Sequence, residues 1–306
     1  MKIGVVFPQN EIGADPGAIK AFAQAVEDLG YDHLLAYDHV VGASAASYDR
    51  QRLKGPYREE HMFHEPLVLF GYLAGLTRRI EFVTSVLVLP QRQTVLVAKQ
   101  ATQVDILSGG RLRLGVGTGW NDVEYTSLGV PFAGRGKRLD EQVSLLRELW
   151  TKPLVDYDGD FHQVPDAGIN PLPVQRPIPI WFGGTNEQVI RRVAATGDGW
   201  MPLFKQLEPG MSRTLSTEEE PAQMFERMRS LARAAGRDPA TIGIECRLSY
   251  FKQTAEDWHR NAELFRDAGA THLSLVAMNA AFFDVDEHIR GLEEMRSAVA
   301  DVAGRS

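Results

Sequence analysis

His39 is the side chain here best suited to chemistry, because imidazole changes charge near neutrality and can give or take a proton at working pH. It follows directly on a short apolar run, HLLAY at residues 33–37, that reads as a β-strand. A lone loop histidine is often bonded only to a backbone carbonyl. Its place at a strand's end is what raises the functional reading. Asp38 stands beside it, but neighbours on an extended chain point to opposite faces, so no direct Asp-His relay follows.

A second stretch with chemical potential is RLRLGVGTGW at residues 111–120, an apolar strand running into Gly115, Gly117 and Gly119. Glycines weaken a strand end, so their clustering suits a turn or a flat ligand brought close to the backbone. The spacing is not that of a dinucleotide fingerprint. A third stretch, Gly183-Gly184-Thr185-Asn186, opens a helix, where free N–H groups and the helix dipole favour an anion such as phosphate. An Asn or Thr N-cap in a tight turn explains the same residues. His61 and His64 could join His39 around a metal, but no further ligands appear at recognisable spacing, and no metal site is expected. Arg135, Arg138, Asp140 and Glu141 read as surface and helix-entry ion pairing.

These residues need a scaffold, and strand-like and helix-like segments alternate along the chain. Strands are expected at residues 2–8, 33–37, 81–89, 111–117, 179–182, 199–202, 242–251 and 271–276, each followed by a segment with apolar residues at helical spacing. Between residues 151 and 177 a Tyr157-Asp158-Gly159-Asp160-Phe161 turn signal and several prolines indicate a small hairpin and an extended excursion. Eight βα units without a linker predict a single α/β domain over residues 1–306, a (β/α)8 TIM barrel with insertions in its βα loops; an open doubly wound sheet is the alternative. In such a barrel the chemistry lies at the carboxyl ends of the strands. Asp38-His39, Thr84-Ser85-Val86, Thr118-Gly119-Trp120 and Gly183-Gly184-Thr185 all fall there.

Composition narrows the function classes. A chain of 306 residues with 44% hydrophobic content can bury a substantial core. A net charge of -7 offers no basic footprint for nucleic acid. No apolar run approaches the ~20 residues of a membrane span, and the first ten residues do not read as a signal peptide, so a cytoplasmic protein is expected. The single cysteine, Cys246, sits in an apolar strand and reads as a buried bystander.

The chain resembles the luciferase-like monooxygenase superfamily, and in particular its class that uses the deazaflavin coenzyme F420. The likeness is densest in GYDHLLAYDHV, in RIEFVTSVLVLPQRQTVLVAKQATQVDILSGGRLRLGVGTGWNDVEY, in RGKRLDEQVSLLRELW and in PIPIWFGGTNEQVIRRVAATGDGW. The resemblance implies that His39 transfers the proton and that Asp38 contacts the deazaflavin. It implies a non-prolyl cis peptide at Ser85-Val86 bulging against the cofactor ring, and backbone contacts along the cofactor from Thr118 and Gly119. It places Gly183, Gly184 and Thr185 on the phosphate side. Where sugar-phosphate dehydrogenases of this class carry a second acid after Gly-Thr-Gly, this chain has Trp120, which points to a more apolar substrate pocket. The implied activity is hydride transfer between F420 and a small organic substrate, in a homodimer. The alternatives are an FMN-dependent monooxygenase using oxygen and a non-catalytic flavin-binding barrel. Substrate choice is expected to rest on residues 40–64, 151–177 and 203–217.

Overall fold

The computed structural model describes residues 1–44, 55, 57–204, 219–302 and 304. Parts of two expected specificity segments, 45–54, 56 and 205–217, lie outside the described residues. Strand β1 (Lys2–Val6) leads into helix α1 (Pro16–Asp28), and β2 (His33–Ala36) into α2 (Pro66–Ala74). Strands β3 (Glu81–Thr84) and β4 (Leu87–Val88) precede α3 (Thr94–Ser108), and β5 (Leu112–Gly117) precedes α4 (Asp122–Ser127) and α5 (Arg135–Thr151). The hairpin β6 (Val155–Asp158) and β7 (Gln163–Ala167) follows. The chain ends with β8 (Ile180–Gly183) and α6 (Glu187–Thr196), β9 (Gly199–Met201) and α7 (Glu220–Ala234), β10 (Gly243–Ser249) and α8 (Ala255–Ala268), and β11 (His272–Val276) and α9 (Val285–Ala298). The fold is a (β/α)8 barrel.

Two details differ from the sequence-based expectation. The third strand is split into β3 and β4 at Ser85-Val86, where the peptide bond is cis as the resemblance implied. The loop after β5 forms the short helix α4, because Asn121 accepts the Val123 N–H at 3.1 Å and acidic residues fill its first turn.

The chain forms two compact units. In the first, residues 1–36, 79–83 and 181–306, the strand order is β3-β2-β1-β11-β10-β9-β8, with parallel registers such as Val5 opposite Leu34 and Leu275. Trp181 lies against Gly199 and Gly243, where an added Cβ would come within 2.1 and 2.3 Å of the indole, so only glycine fits. Gly4 makes the same room for His33. The second unit, residues 37–78 and 84–180, pairs β4 with β5 through Leu87 opposite Val116 and Val88 opposite Gly117. Leu139, Val143, Leu146 and Trp150 of α5 are buried there, and the Trp150 indole N–H donates to the Ala98 carbonyl at 3.1 Å. Burying each such side chain contributes about 2 kcal/mol. Gly109, at φ 70°, ends α3 in the left-handed conformation that favours glycine.

Among the described residues, no helix is long and apolar enough to cross a membrane.

Candidate active site

Strand β2 ends by sending two neighbouring side chains to different partners. Asp38 is buried, and its Oδ1 receives the Arg92 Nη2–H at 2.6 Å, while Oδ2 receives the Val88 N–H at 2.8 Å and Arg92 Nε–H at 3.3 Å. Arg92 also donates to Glu65 at 2.8 Å. Burial works against its charge, but Asp38 and then Glu65 outweigh it, and the guanidinium pKa is raised. Asp38 therefore anchors the backbone just beyond the cis peptide through Oδ2, while both of its oxygens hold Arg92. His39 turns instead to Glu124 of α4, with Nδ1 3.3 Å from each carboxylate oxygen. Glu124 is almost fully buried, and it also accepts the Val40 N–H at 2.6 Å and the Val41 N–H at 3.3 Å. These bonds fix the turn that carries His39. Among the described residues, His39 Nε2 makes no hydrogen bond, and the side chain is 11% exposed.

The glycines at and just after the end of β5 leave room for neighbouring side chains of the protein. An added Cβ at Gly117 would stand 2.5 Å from Val86 Cγ2, and one at Gly119 would stand 2.5 Å from Val88 Cγ1. The flat surface they offer is thus occupied by the protein's own bulge. Gly119 also has φ 63°, which a side chain would resist. Thr118 lends its carbonyl to the Tyr125 hydroxyl at 2.8 Å, and the Thr84 hydroxyl donates to the Gly115 carbonyl at 2.7 Å.

Aromatic rings surround His39. Tyr57, Phe63 and Trp120 have ring centroids 5.0, 4.8 and 5.6 Å from the imidazole. A cavity of about 360 Å³ opens beside them, lined by His39, Tyr57, Phe63, Arg58 and His61, together with the Val40–Gly42 backbone and Asn121. Trp120 touches the His39 ring but does not line this cavity; Gly55 covers its indole so closely that a Cβ would clash at 2.1 Å. His61 Nδ1 accepts the Arg58 N–H at 3.0 Å, a role within its own loop. No group of three or more metal-ligating side chains occurs among the described residues.

Gly183, Gly184 and Thr185 belong to the first unit. Gly184 has φ 117°, and its carbonyl accepts the Trp200 indole N–H at 2.7 Å. Asn186 caps α6 by accepting the Val189 N–H at 2.9 Å. Cys246 is fully buried, and burial pushes its thiol pKa up. Of the group read as helix-entry ion pairing, Glu141 binds His162 at 2.7 Å and accepts the Phe161 N–H at 2.9 Å.

Sequence reasoning missed Glu124 and Arg92. Glu124 stands four residues after Trp120, beyond the stretch where an acid was sought, and its signal was the Asn121 cap, which turns Glu124 back towards residues 39–41. Arg92 carried no signal except a charge next to Pro90-Gln91.

The family model for the luciferase-like monooxygenases matches residues 1–302, and the chain belongs to that family. Protein Rv0940c of Mycobacterium tuberculosis is 45% identical over 187 residues, 58% of this chain and 62% of that protein. The F420-dependent glucose-6-phosphate dehydrogenase of Amycolatopsis mediterranei is 30% identical over 207 residues, 66% of this chain and 57% of that enzyme. The matched part thus spans about three-fifths of these relatives' length. Among solved structures, an F420-dependent secondary alcohol dehydrogenase in complex with an F420-acetone adduct superposes with TM-score 0.75 at 17% identity, covering 97% of this chain and 98% of that one. Monooxygenase RslO1 from Streptomyces bottropensis gives TM-score 0.67 at 22% identity, covering 99% and 89%. Both confirm the fold.

Proposed function

We propose that this chain is an F420-dependent oxidoreductase acting on a small organic substrate, with His39 as the proton-transfer residue. The observation that carries the reading is His39, which is shielded from bulk water, has no partner for Nε2 among the described residues, and lines a cavity of mixed aromatic and polar character. Such an atom fits an amphipathic ring system with a reacting oxygen or carbon nearby. When bound, the deazaflavin supplies a hydride at C5. The protein's part is to orient and to move a proton. Glu124 holds Nδ1, which keeps Nε2 available as the acid or base. Asp38 acts through Arg92 and Val88 to hold Ser85 and Val86 in the wall that would meet the ring, with Thr118 and Gly119 beyond them. Gly183, Gly184 and Thr185 are assigned to the cofactor's phosphate side, and Trp120 to the support of His39 in the substrate pocket. The names of the Amycolatopsis enzyme and of the alcohol dehydrogenase support F420 over FMN.

The second reading, an FMN-dependent monooxygenase, has RslO1 and the pyrimidine monooxygenase RutA of Allorhizobium ampelinum in its favour. Parallel fluorescence titrations of the protein with oxidised F420 and with FMN test the two. Micromolar or tighter F420 with FMN at least tenfold weaker is expected; the reverse order would hand the site to the flavin monooxygenases.

The reading includes a cytoplasmic homodimer. Val68 and Tyr72 on α2 and Val95 and Leu96 on α3 are exposed apolar side chains on two helices of one unit, suited to a second copy. Sedimentation at micromolar concentration should give twice the 34.0 kDa chain mass, and Val68→Glu should shift it towards the monomer; a wild-type monomer would remove the dimer from the reading.

A further inference from the structure

We propose that the cavity beside His39 contains an anion subsite built on Arg58, and that the substrate is a small planar carboxylate whose ring lies against Tyr57 and Phe63. The inference rests on the reading of His39 as the reacting side of this cavity and adds the substrate's chemical class to it.

Arg58 is held in place by its own loop. Its N–H donates to His61 Nδ1 at 3.0 Å, its carbonyl accepts the His61 N–H at 3.1 Å, and its Nη1 donates to the carbonyls of Gly55 and Tyr57 at 2.9 and 3.1 Å. Two glycines allow this loop to seat so closely. A Cβ on Gly42 would meet the Arg58 backbone at 2.3 Å, and one on Gly55 would meet the Trp120 indole. The guanidinium is therefore positioned from the main chain, without a carboxylate. Among the described residues no acid pairs with it, and its Nε and Nη2 make no hydrogen bond. Those two N–H groups point along one edge of the planar fork, the edge that takes a carboxylate in a bidentate pair.

The rest of the lining agrees. Because His61 Nδ1 accepts, the neutral imidazole carries its proton on Nε2 and offers a second donor. The Val40 and Val41 N–H groups are already spent on Glu124. Glu59 also borders the cavity, but it is exposed and screened by water. Arg58 and His61 with uncommitted donors, the rings of Tyr57 and Phe63, and His39 as the group able to exchange a proton all line one cavity, a set that suits an aromatic or conjugated acid rather than a neutral alcohol or a polyol.

Calorimetric titration of the full chain with benzoate and with benzamide, its uncharged isostere, tests the subsite without any cofactor. Wild type should bind benzoate at least tenfold more tightly than benzamide. Arg58→Gln should abolish that preference while leaving benzamide affinity within twofold, and Arg58→Lys, which keeps the charge and loses the fork, should restore part of it. Equal affinity for the two ligands in wild type, no benzoate binding at millimolar concentration, or an unchanged preference in Arg58→Gln would each overturn the proposal. Titration with FMN and riboflavin separates the other source of an anion: if Arg58→Gln weakens FMN but not riboflavin and leaves benzoate alone, Arg58 serves a cofactor phosphate and the proposal fails. If neither F420 nor FMN binds while the benzoate preference stands, the subsite survives and the cofactor reading falls.

Discussion

His162 and His39 each face a glutamate within the same unit, yet the two imidazoles are left with different capacities. His162 Nδ1 is 2.7 Å from Glu141 Oε1 and Nε2 is 2.7 Å from the Thr94 hydroxyl, which in turn accepts the Gln142 amide N–H at 2.9 Å. The Glu141 carboxylate can only accept, so Nδ1 carries a proton, and in the neutral imidazole Nε2 accepts the Thr94 hydroxyl proton. Both ring nitrogens are committed, and the hairpin β6–β7 is tied to α3 and α5. Glu141 reflects the bond: burial raises its pKa, but the His162 and Phe161 hydrogen bonds prevail and lower it. His39 has looser 3.3 Å contacts to Glu124 and nothing on Nε2 among the described residues. A third pair, His33 with Glu245 at 2.7 Å and Ser274 on the same oxygen, lies sealed among the strands of the other unit. His33 Nδ1 has no partner among the described residues but is sealed from solvent. A histidine beside a carboxylate is thus a strut or a reagent according to what its second nitrogen meets and whether a cavity reaches the ring.

The widest separation is expected in turnover. His39→Ala should lower kcat by about 10²- to 10⁴-fold, the usual reach of a positioned acid-base group, with the cofactor Kd moving less than threefold. Equal losses in both, or in neither, would put His39 with the struts. Stability should divide the pairs the other way. Glu124→Ala takes the acceptor from the part-buried Val40 and Val41 N–H groups and from His39 and should cost about 1–3 kcal/mol, whereas Glu124→Gln keeps an accepting oxygen and should cost less. His162→Ala should cost about 1–2 kcal/mol and leave kcat within twofold. Urea unfolding and steady-state kinetics on the same preparations measure both axes. A His162→Ala enzyme as slow as His39→Ala would dissolve the distinction.

Periodicity and capping were enough to read the barrel order, because each helix of this fold buries one stripe and each strand ends in a turn residue with its own steric signature. Ile19, Phe22 and Val26 in α1, and Gly109 after α3, carry that information locally. Asp38 and His39 were legible for the same reason, being tied to a strand end. The partners were not. Arg92 reaches Asp38 across 54 positions and Glu124 reaches His39 across 85, distances at which a single chain carries no pairing signal. Gly117 and Gly119 show a complementary limit. Their need for space was read correctly, but whether a ligand or Val86 and Val88 fills it depends on a register that only the fold supplies.

A fourth pair extends the comparison to a histidine with almost no bonds, and its effect should be the most dependent on pH. His288 is fully buried at the start of α9, with Glu11 Oε2 3.3 Å from Nε2 but out of hydrogen-bond alignment, and its Nδ1 is also unbonded. Burial lowers its pKa from 6.5 to about 4, against the weaker opposing pull of Glu287 and Asp284. The unfolded chain therefore binds a proton at a pH where the folded chain does not. Stability should fall as pH drops from 6.5 towards 4, by up to about 1.4 kcal/mol per pH unit from this group. Glu11 acts in the other direction: burial raises its carboxyl pKa above the usual 4.5, so near that pH the folded state takes up a proton first and recovers part of the loss. His288→Gln removes the titrating ring and should flatten the slope of urea-derived stability between pH 6.5 and 4, with little change in turnover at neutral pH. A slope identical to wild type would mean that the acid sensitivity arises from carboxylates elsewhere, and that His288 is charged or hydrated in solution despite its burial.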